Sequence, residues 1–136
     1  MRIAVVGLGH IGLPLAVQYA SRGHEVIGCD VASWIVDALN EGRSPHDDEP
    51  ALLERVPGLV RSGHLRATVD DAEGVRQAEV VVVIVPVVVD EHREIDFRPI
   101  DAATREIARG LQPGTLVVYE PTLLVGDGAA GIASPH

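Results

Sequence analysis

A glycine-rich turn, set between a strand pattern and a helix pattern, dictates how this chain begins to fold. Gly7-Leu8-Gly9-His10-Ile11-Gly12 follows the apolar run Ile3-Ala4-Val5-Val6 and leads into Ile11, Leu15, Ala16, Tyr19 and Ala20, spaced as the inner stripe of a helix. A strand that passes into a helix through G-x-G-x-x-G is the opening of a β-α-β unit. Gly7 permits the tight turn, Gly9 lets the backbone approach a pyrophosphate, and Gly12 lets the helix pack close to the strand. The helix N-terminus then offers unpaired N–H groups and a partial positive charge to phosphate. Pro14 suits a first helical turn, where no N–H is lost.

The alternation continues. Glu25 to Asp30 reads as a second strand, and Ser33 as the cap of a helix carrying Ile35, Val36 and Leu39 that ends at Asn40-Glu41-Gly42. Pro50 opens another helix through Leu52, Leu53 and Val56, which Pro57 is expected to break or kink. His64 to Val69 reads as a short strand. Val80 to Val85 has no polar alternation and so implies a strand covered on both faces, ended by Pro86. Pro99 to Leu111 is a helix with Ile100, Ala103, Ile107 and Leu111 inward, and Leu116 to Tyr119 is the last strand. The predicted fold is α/β: a three-layer, doubly wound, mainly parallel sheet of about five strands, truncated after the fifth. Residues 1–126 form the domain and residues 127–136, small and without periodicity, form an irregular tail.

Asp30, at the end of the second strand, stands where an acid accepts hydrogen bonds from an adenosine ribose, about 20 residues past the glycines. An acid there repels a 2′-phosphate and the next arginine is Arg43, so NAD is favoured over NADP. S-adenosylmethionine proteins also combine a glycine turn with an acid, and the residues alone leave that ligand open.

Composition narrows the partners. Eleven basic against 20 acidic side chains give a net charge of −9, and no arginines cluster, which argues against nucleic acid and an anionic membrane surface. No stretch approaches a membrane helix and no signal-type leader precedes the first strand. Cys29 is the single cysteine, which suits a reducing cytoplasm. The chain has no lysine, and Asn40 is its single asparagine.

Taken with Gly23-His24-Glu25-Val26-Ile27-Gly28-Cys29-Asp30, the glycine turn and Leu13-Pro14-Leu15-Ala16 resemble the start of the UDP-glucose/GDP-mannose dehydrogenase family. Leu39-Asn40-Glu41-Gly42-Arg43-Ser44-Pro45, Glu49-Pro50, Ser62-Gly63-His64-Leu65-Arg66-Ala67-Thr68 and Pro113-Gly114-Thr115-Leu116-Val117-Val118-Tyr119-Glu120 continue the likeness in order, over about residues 1–126. The resemblance implies a Rossmann-type NAD-binding domain of an enzyme that oxidises a nucleotide sugar's primary alcohol to the uronic acid in a four-electron reaction. It implies a cofactor site at Gly7, Gly9, His10, Ile11, Gly12, Asp30, Val85, Pro86, Val87 and Thr122. The family's catalytic cysteine and lysine lie in later parts of its chain, and a thiolate nucleophile is what the chemistry requires. None of this chain's residues is expected to be catalytic, and Cys29 reads as a buried structural thiol. Activity alone is not expected. A split enzyme, or a non-catalytic interaction or scaffold module, are the other readings.

Within the shared region the chain departs from the family pattern at Ile35, where many members carry a cation, at Val87, where many carry a threonine, and at Pro121 beside Thr122. Lesser signals have simpler readings. His46-Asp47-Asp48-Glu49 collects possible metal ligands but reads as a solvated loop, with no metal expected. Trp34 either flanks the adenine or packs, His10 either meets a phosphate or is exposed, and Asp90 to Glu94 is a charged surface loop. Val87-Val88-Val89 and the last strand place apolar surface at the sheet's rim, so a homodimer or larger assembly is predicted.

Overall fold

The computed structural model describes the backbone of residues 1–46, 48–84, 86–89, 91–120 and 122–124, and the side chains of these except 86–89, 95, 96, 99 and 122–124. Its centre is a five-stranded parallel sheet built from β1 (Arg2–Val6), β2 (Glu25–Cys29), β3 (Leu65–Thr68), β4 (Val80–Val83) and a strand at Leu116–Tyr119. With the intervening β5 (Pro86–Val89) and β6 (Ile95–Asp96) counted, that last strand is β7, and the order across the sheet is β3-β2-β1-β4-β7. The order reverses between β1 and β4, and it is outside the carboxyl ends of strands at such a switch point that α/β sheets bind ligands.

Both faces of the sheet are covered, which is why its strands are almost purely apolar. Ile3, Val5, Val26, Leu65 and Val82 face α1 (Gly12–Ser21), α2 (Ser33–Asn40) and α3 (Pro50–Arg61), where Leu13, Leu39 and Val56 complete a fully buried core. Their neighbours Ala4, Val6, Ile27, Cys29, Val81 and Val83 point the other way, toward Val75 of α4 (Asp71–Arg76) and Ile107 of α5 (Arg98–Gly110). This is the Rossmann-type, three-layer arrangement the alternation predicts. Among the described residues no helix is long and apolar enough to cross a membrane.

Several local expectations are corrected. α3 continues through Pro57 to Arg61, since the packing of Leu52 and Val56 outweighs the one backbone bond that proline forfeits. Ser33 is the first residue of α2 and gives no side-chain cap; Asp30 accepts the Ala32 N–H instead. Leu111 lies past the end of α5 and is exposed, while Ile107 is buried. β4 ends at Val83, and Pro86 begins a new strand rather than merely ending one: β5 pairs in parallel with β8 (Thr122–Leu124) and antiparallel with β6. The three form a second small sheet that the sequence did not suggest. The predicted charged loop falls in the β5–β6 connection, where residues 91–94 are exposed and Asp90 lies outside the described residues. So does the predicted tail, 127–136.

Candidate cofactor site

The three glycines of the turn hold three different roles. Gly7 has φ of +103°, and a Cβ there would lie 1.9 Å from the Ile84 carbonyl oxygen, so only glycine lets β1 turn beside β4. A Cβ on Gly12 would stand 1.7 Å from the Gly7 carbonyl oxygen, so glycine brings α1 onto the end of β1. Around Gly9 nothing lies within 4 Å of the corresponding position. The space above it is open, as the approach of a ligand's phosphates requires. The amides of Gly9, His10 and Ile11 donate to no backbone carbonyl among the described residues. They stand at the N-terminus of α1, where helices leave such donors for anions.

Asp30 is bound into this turn. Its Oδ2 accepts the Leu8 N–H at 2.8 Å and its Oδ1 the Ala32 N–H at 2.9 Å, while Gly7 N–H donates to the Cys29 carbonyl at 2.8 Å. The acid thus sits half-buried at the mouth of β2 with one bond made at each oxygen. A carboxylate oxygen has room for a second, which is what a ribose diol asks of it.

A cluster that sequence reasoning missed braces the turn from outside. His46, expected on a solvated loop, is buried, with Nε2 2.9 Å from the Leu8 carbonyl oxygen. Its ring stacks on His10 at a centroid distance of 4.4 Å and meets the edge of the exposed Trp34 at 6.5 Å. His10 Nε2 lies 3.5 Å from Asp48 Oδ2. Four consecutive ligand-type residues gave no hint of this, because the partner, Leu8, is 38 residues away. Among the described residues no group of histidine, cysteine and acids is arranged to hold a metal ion.

On the opposite side of Asp30 a cleft of about 420 Å³ opens between the carboxyl ends of the sheet and α5, lined by Val6, Cys29, Val31, Asp71, Ile84 and Ala103 among others. Asp71, the first residue of α4, is buried, and burial together with the carboxylates of Glu106, Asp30 and Asp70 pushes its carboxyl up to about 6. The helix that carries Asp71 was missed, although Asp70 followed by Glu73 has capping-box spacing; Asp70 Oδ1 accepts the Glu73 N–H at 3.2 Å. Cys29 is fully buried, and a Cβ on Gly74 would stand 2.4 Å from its Sγ. Burial and the neighbouring Asp71 push the thiol well above its ordinary range, so it supplies no thiolate nucleophile.

The structure brings Gly7, Gly9, Gly12 and Asp30 together, with His10 and Ile11 exposed beside them. Ile35 is buried in the core and does not face this site. Pro86 pairs with Thr122 and Val87 with Leu123 in the second sheet, so the two later segments of the predicted site are neighbours. Val85 and Pro121 lie outside the described residues.

The family model for the UDP-glucose/GDP-mannose dehydrogenase family, NAD-binding domain, matches residues 1–134. The chain is 44% identical over 124 residues to NDP-N-acetyl-D-galactosaminuronic acid dehydrogenase of Ralstonia nicotianae, covering 91% of this chain and 28% of that one. It is 40% identical over 125 residues to UDP-N-acetyl-D-mannosamine dehydrogenase of Escherichia coli, covering 92% and 29%. The crystal structure of a ternary complex of GDP-mannose dehydrogenase from Pseudomonas aeruginosa superposes with a TM-score of 0.82 at 33% identity, over 91% of this chain and 29% of that one. The chain thus spans under a third of the length of the relatives it matches.

Proposed function

The chain belongs to the UDP-glucose/GDP-mannose dehydrogenase family through its NAD-binding domain, and on that premise we propose that it binds NAD across the rim of β1, β2 and β4 for a nucleotide-sugar dehydrogenase. The observation that carries this is the bond from Leu8 N–H to Asp30 Oδ2, which locks the ribose acid onto the phosphate turn. The amides of Gly9, His10 and Ile11 and the N-terminus of α1 hold the pyrophosphate, and Asp30 holds the adenosine ribose. Val85, Pro86, Val87 and Thr122 serve the nicotinamide end, and Gly7 and Gly12 shape the turn. When bound, NAD supplies the hydride acceptor. This chain's part is to hold and orient it.

The relatives named above are nucleotide-sugar dehydrogenases, which supports a nucleotide sugar as substrate of the whole enzyme. Further chain or a partner polypeptide supplies the cysteine and lysine of the family's chemistry, because Cys29 is sealed in the core and no lysine is present. Residues 1–126 act as the domain, in the cytoplasm, and pair into a dimer or larger assembly. Titration calorimetry tests the binding claim. NAD is expected to bind, NADP at least about tenfold more weakly, and Asp30→Asn to weaken NAD. No heat at about 1 mM NAD defeats the reading and leaves a scaffold role.

A further inference from the structure

The peptide that joins Leu8 to Gly9 is the part of the phosphate turn that no local contact orients. Its carbonyl accepts no backbone N–H among the described residues, and its own N–H, that of Gly9, donates to no backbone carbonyl. Rotating this peptide by half a turn would carry the φ of Gly9 to positive values, which any side chain would resist and glycine does not. Gly9 is nonetheless absent from the glycines with positive φ. Something outside the turn holds the peptide the other way.

His46 is that restraint. It is buried, and its Nε2 lies 2.9 Å from the Leu8 carbonyl oxygen. The Ser44 hydroxyl brackets its backbone, donating to the His46 carbonyl at 3.0 Å and accepting the His46 N–H at 3.3 Å. The ring is packed against His10 and the edge of Trp34, so it offers its N–H from a fixed place. The peptide bonds described are all trans, and in a trans peptide the carbonyl and the N–H point in opposite directions. A Leu8 carbonyl turned inward to His46 therefore sends the Gly9 N–H outward. The rotated peptide would strand a buried donor and turn a carbonyl oxygen upon the phosphates.

Resting on the NAD-binding reading above, we propose that His46 is a positioning residue for the cofactor's pyrophosphate: by donating from Nε2 to the Leu8 carbonyl it keeps the Gly9 N–H aimed at the phosphate. Glycine at position 9 makes room for the ligand and, by the same lack of a side chain, makes the turn reversible. His46, 38 residues away in sequence, removes that freedom.

The test uses the whole chain and NAD. In the unaltered, isotope-labelled chain at pH 8, long-range proton–nitrogen spectra of the ring are expected to show Nε2 of His46 carrying the proton. A bare Nε2 cannot donate and overturns the proposal. Saturating NAD should move the Gly9 amide proton downfield, as a new hydrogen bond to phosphate requires. His46→Leu keeps an apolar filling but removes the donor, and should weaken NAD at least about tenfold in calorimetry and abolish the Gly9 shift. His46→Gln, whose amide N–H reaches about as far as Nε2, should keep the shift and bind NAD within about threefold of the unaltered chain. A purely structural role predicts that both folded variants bind NAD alike, whatever their stability in urea. That result, or a Gly9 shift retained in His46→Leu, overturns the role of His46 and leaves NAD binding standing. Absence of NAD binding to the unaltered chain overturns both. If His46→Leu does not fold, the ring proton, the Gly9 shift and the His46→Gln affinity decide.

Discussion

Gly9 and Gly12 are three residues apart in one motif, yet the space around them separates ligand binding from folding. Gly12→Ala pushes a methyl group into the Gly7 carbonyl and should cost at least about 1–3 kcal/mol in urea unfolding. Gly9→Ala meets nothing, so stability should stay within about 0.5 kcal/mol while NAD affinity measured by calorimetry falls by at least about tenfold. Equal stability losses at the two positions would refute this division. Asp71 makes a second residue-level prediction. Its carboxyl titrates near 6 in the folded chain against 3.8 ordinarily, so the folded state binds the proton more tightly. Its contribution is present below about pH 4 and is lost as pH rises to about 6, a difference on the order of 2–3 kcal/mol. Asp71→Asn should therefore gain stability relative to the native chain between pH 4.5 and 7.5. Parallel stability curves for the two proteins would show that the burial of Asp71 carries no such penalty.

At the scale of elements, the outer edge of β3 is the place where one side chain does a strand's work. Asn40, the last residue of α2, donates from Nδ2 to the Ala67 carbonyl at 3.0 Å and accepts the Ala67 N–H at Oδ1 at 2.9 Å. Sequence reading saw only a residue that commonly ends helices. Its amide closes the ladder of an edge strand that would otherwise expose this pair of groups. Asn40→Ala should lower stability by about 1–3 kcal/mol and speed amide exchange at Ala67, read by hydrogen exchange; an unchanged rate there would show that water serves as well. α3 makes the opposite case. Pro57 stands inside a continuous helix and leaves the Leu53 carbonyl without its helical donor, so Pro57→Ala should raise the thermal midpoint by several degrees.

At the scale of the whole molecule, the order β3-β2-β1-β4-β7 puts the glycine turn and Asp30 at the switch point and leaves β7 at the border of the five-stranded sheet. Leu116 and Tyr119 on that strand are 59% and 47% exposed, and the Tyr119 hydroxyl lies 3.0 Å from the Thr104 hydroxyl. Such an edge recruits another strand. Light scattering should show mass rising with protein concentration, and Leu116→Lys should return the chain to a monomer. A monomer at high concentration before any substitution would remove the edge as an association surface.

What the sequence determined by itself is everything whose cause is local. Strand and helix periods, glycine's freedom at Gly7, and an acid after a strand act over a few residues, so five strands and the core of the site were legible from order and spacing. The tertiary structure alone decided which distant groups meet. Leu8 and His46 are 38 residues apart, Asn40 and Ala67 are 27 apart, and the cleft beside Asp71 exists only because α5 crosses back over the sheet. The second sheet belongs to the same class, since β5 and β8 are brought together by the paired ends of β4 and β7 that precede them. No periodicity records such meetings, because burial and hydrogen bonding there depend on the winding of the whole chain.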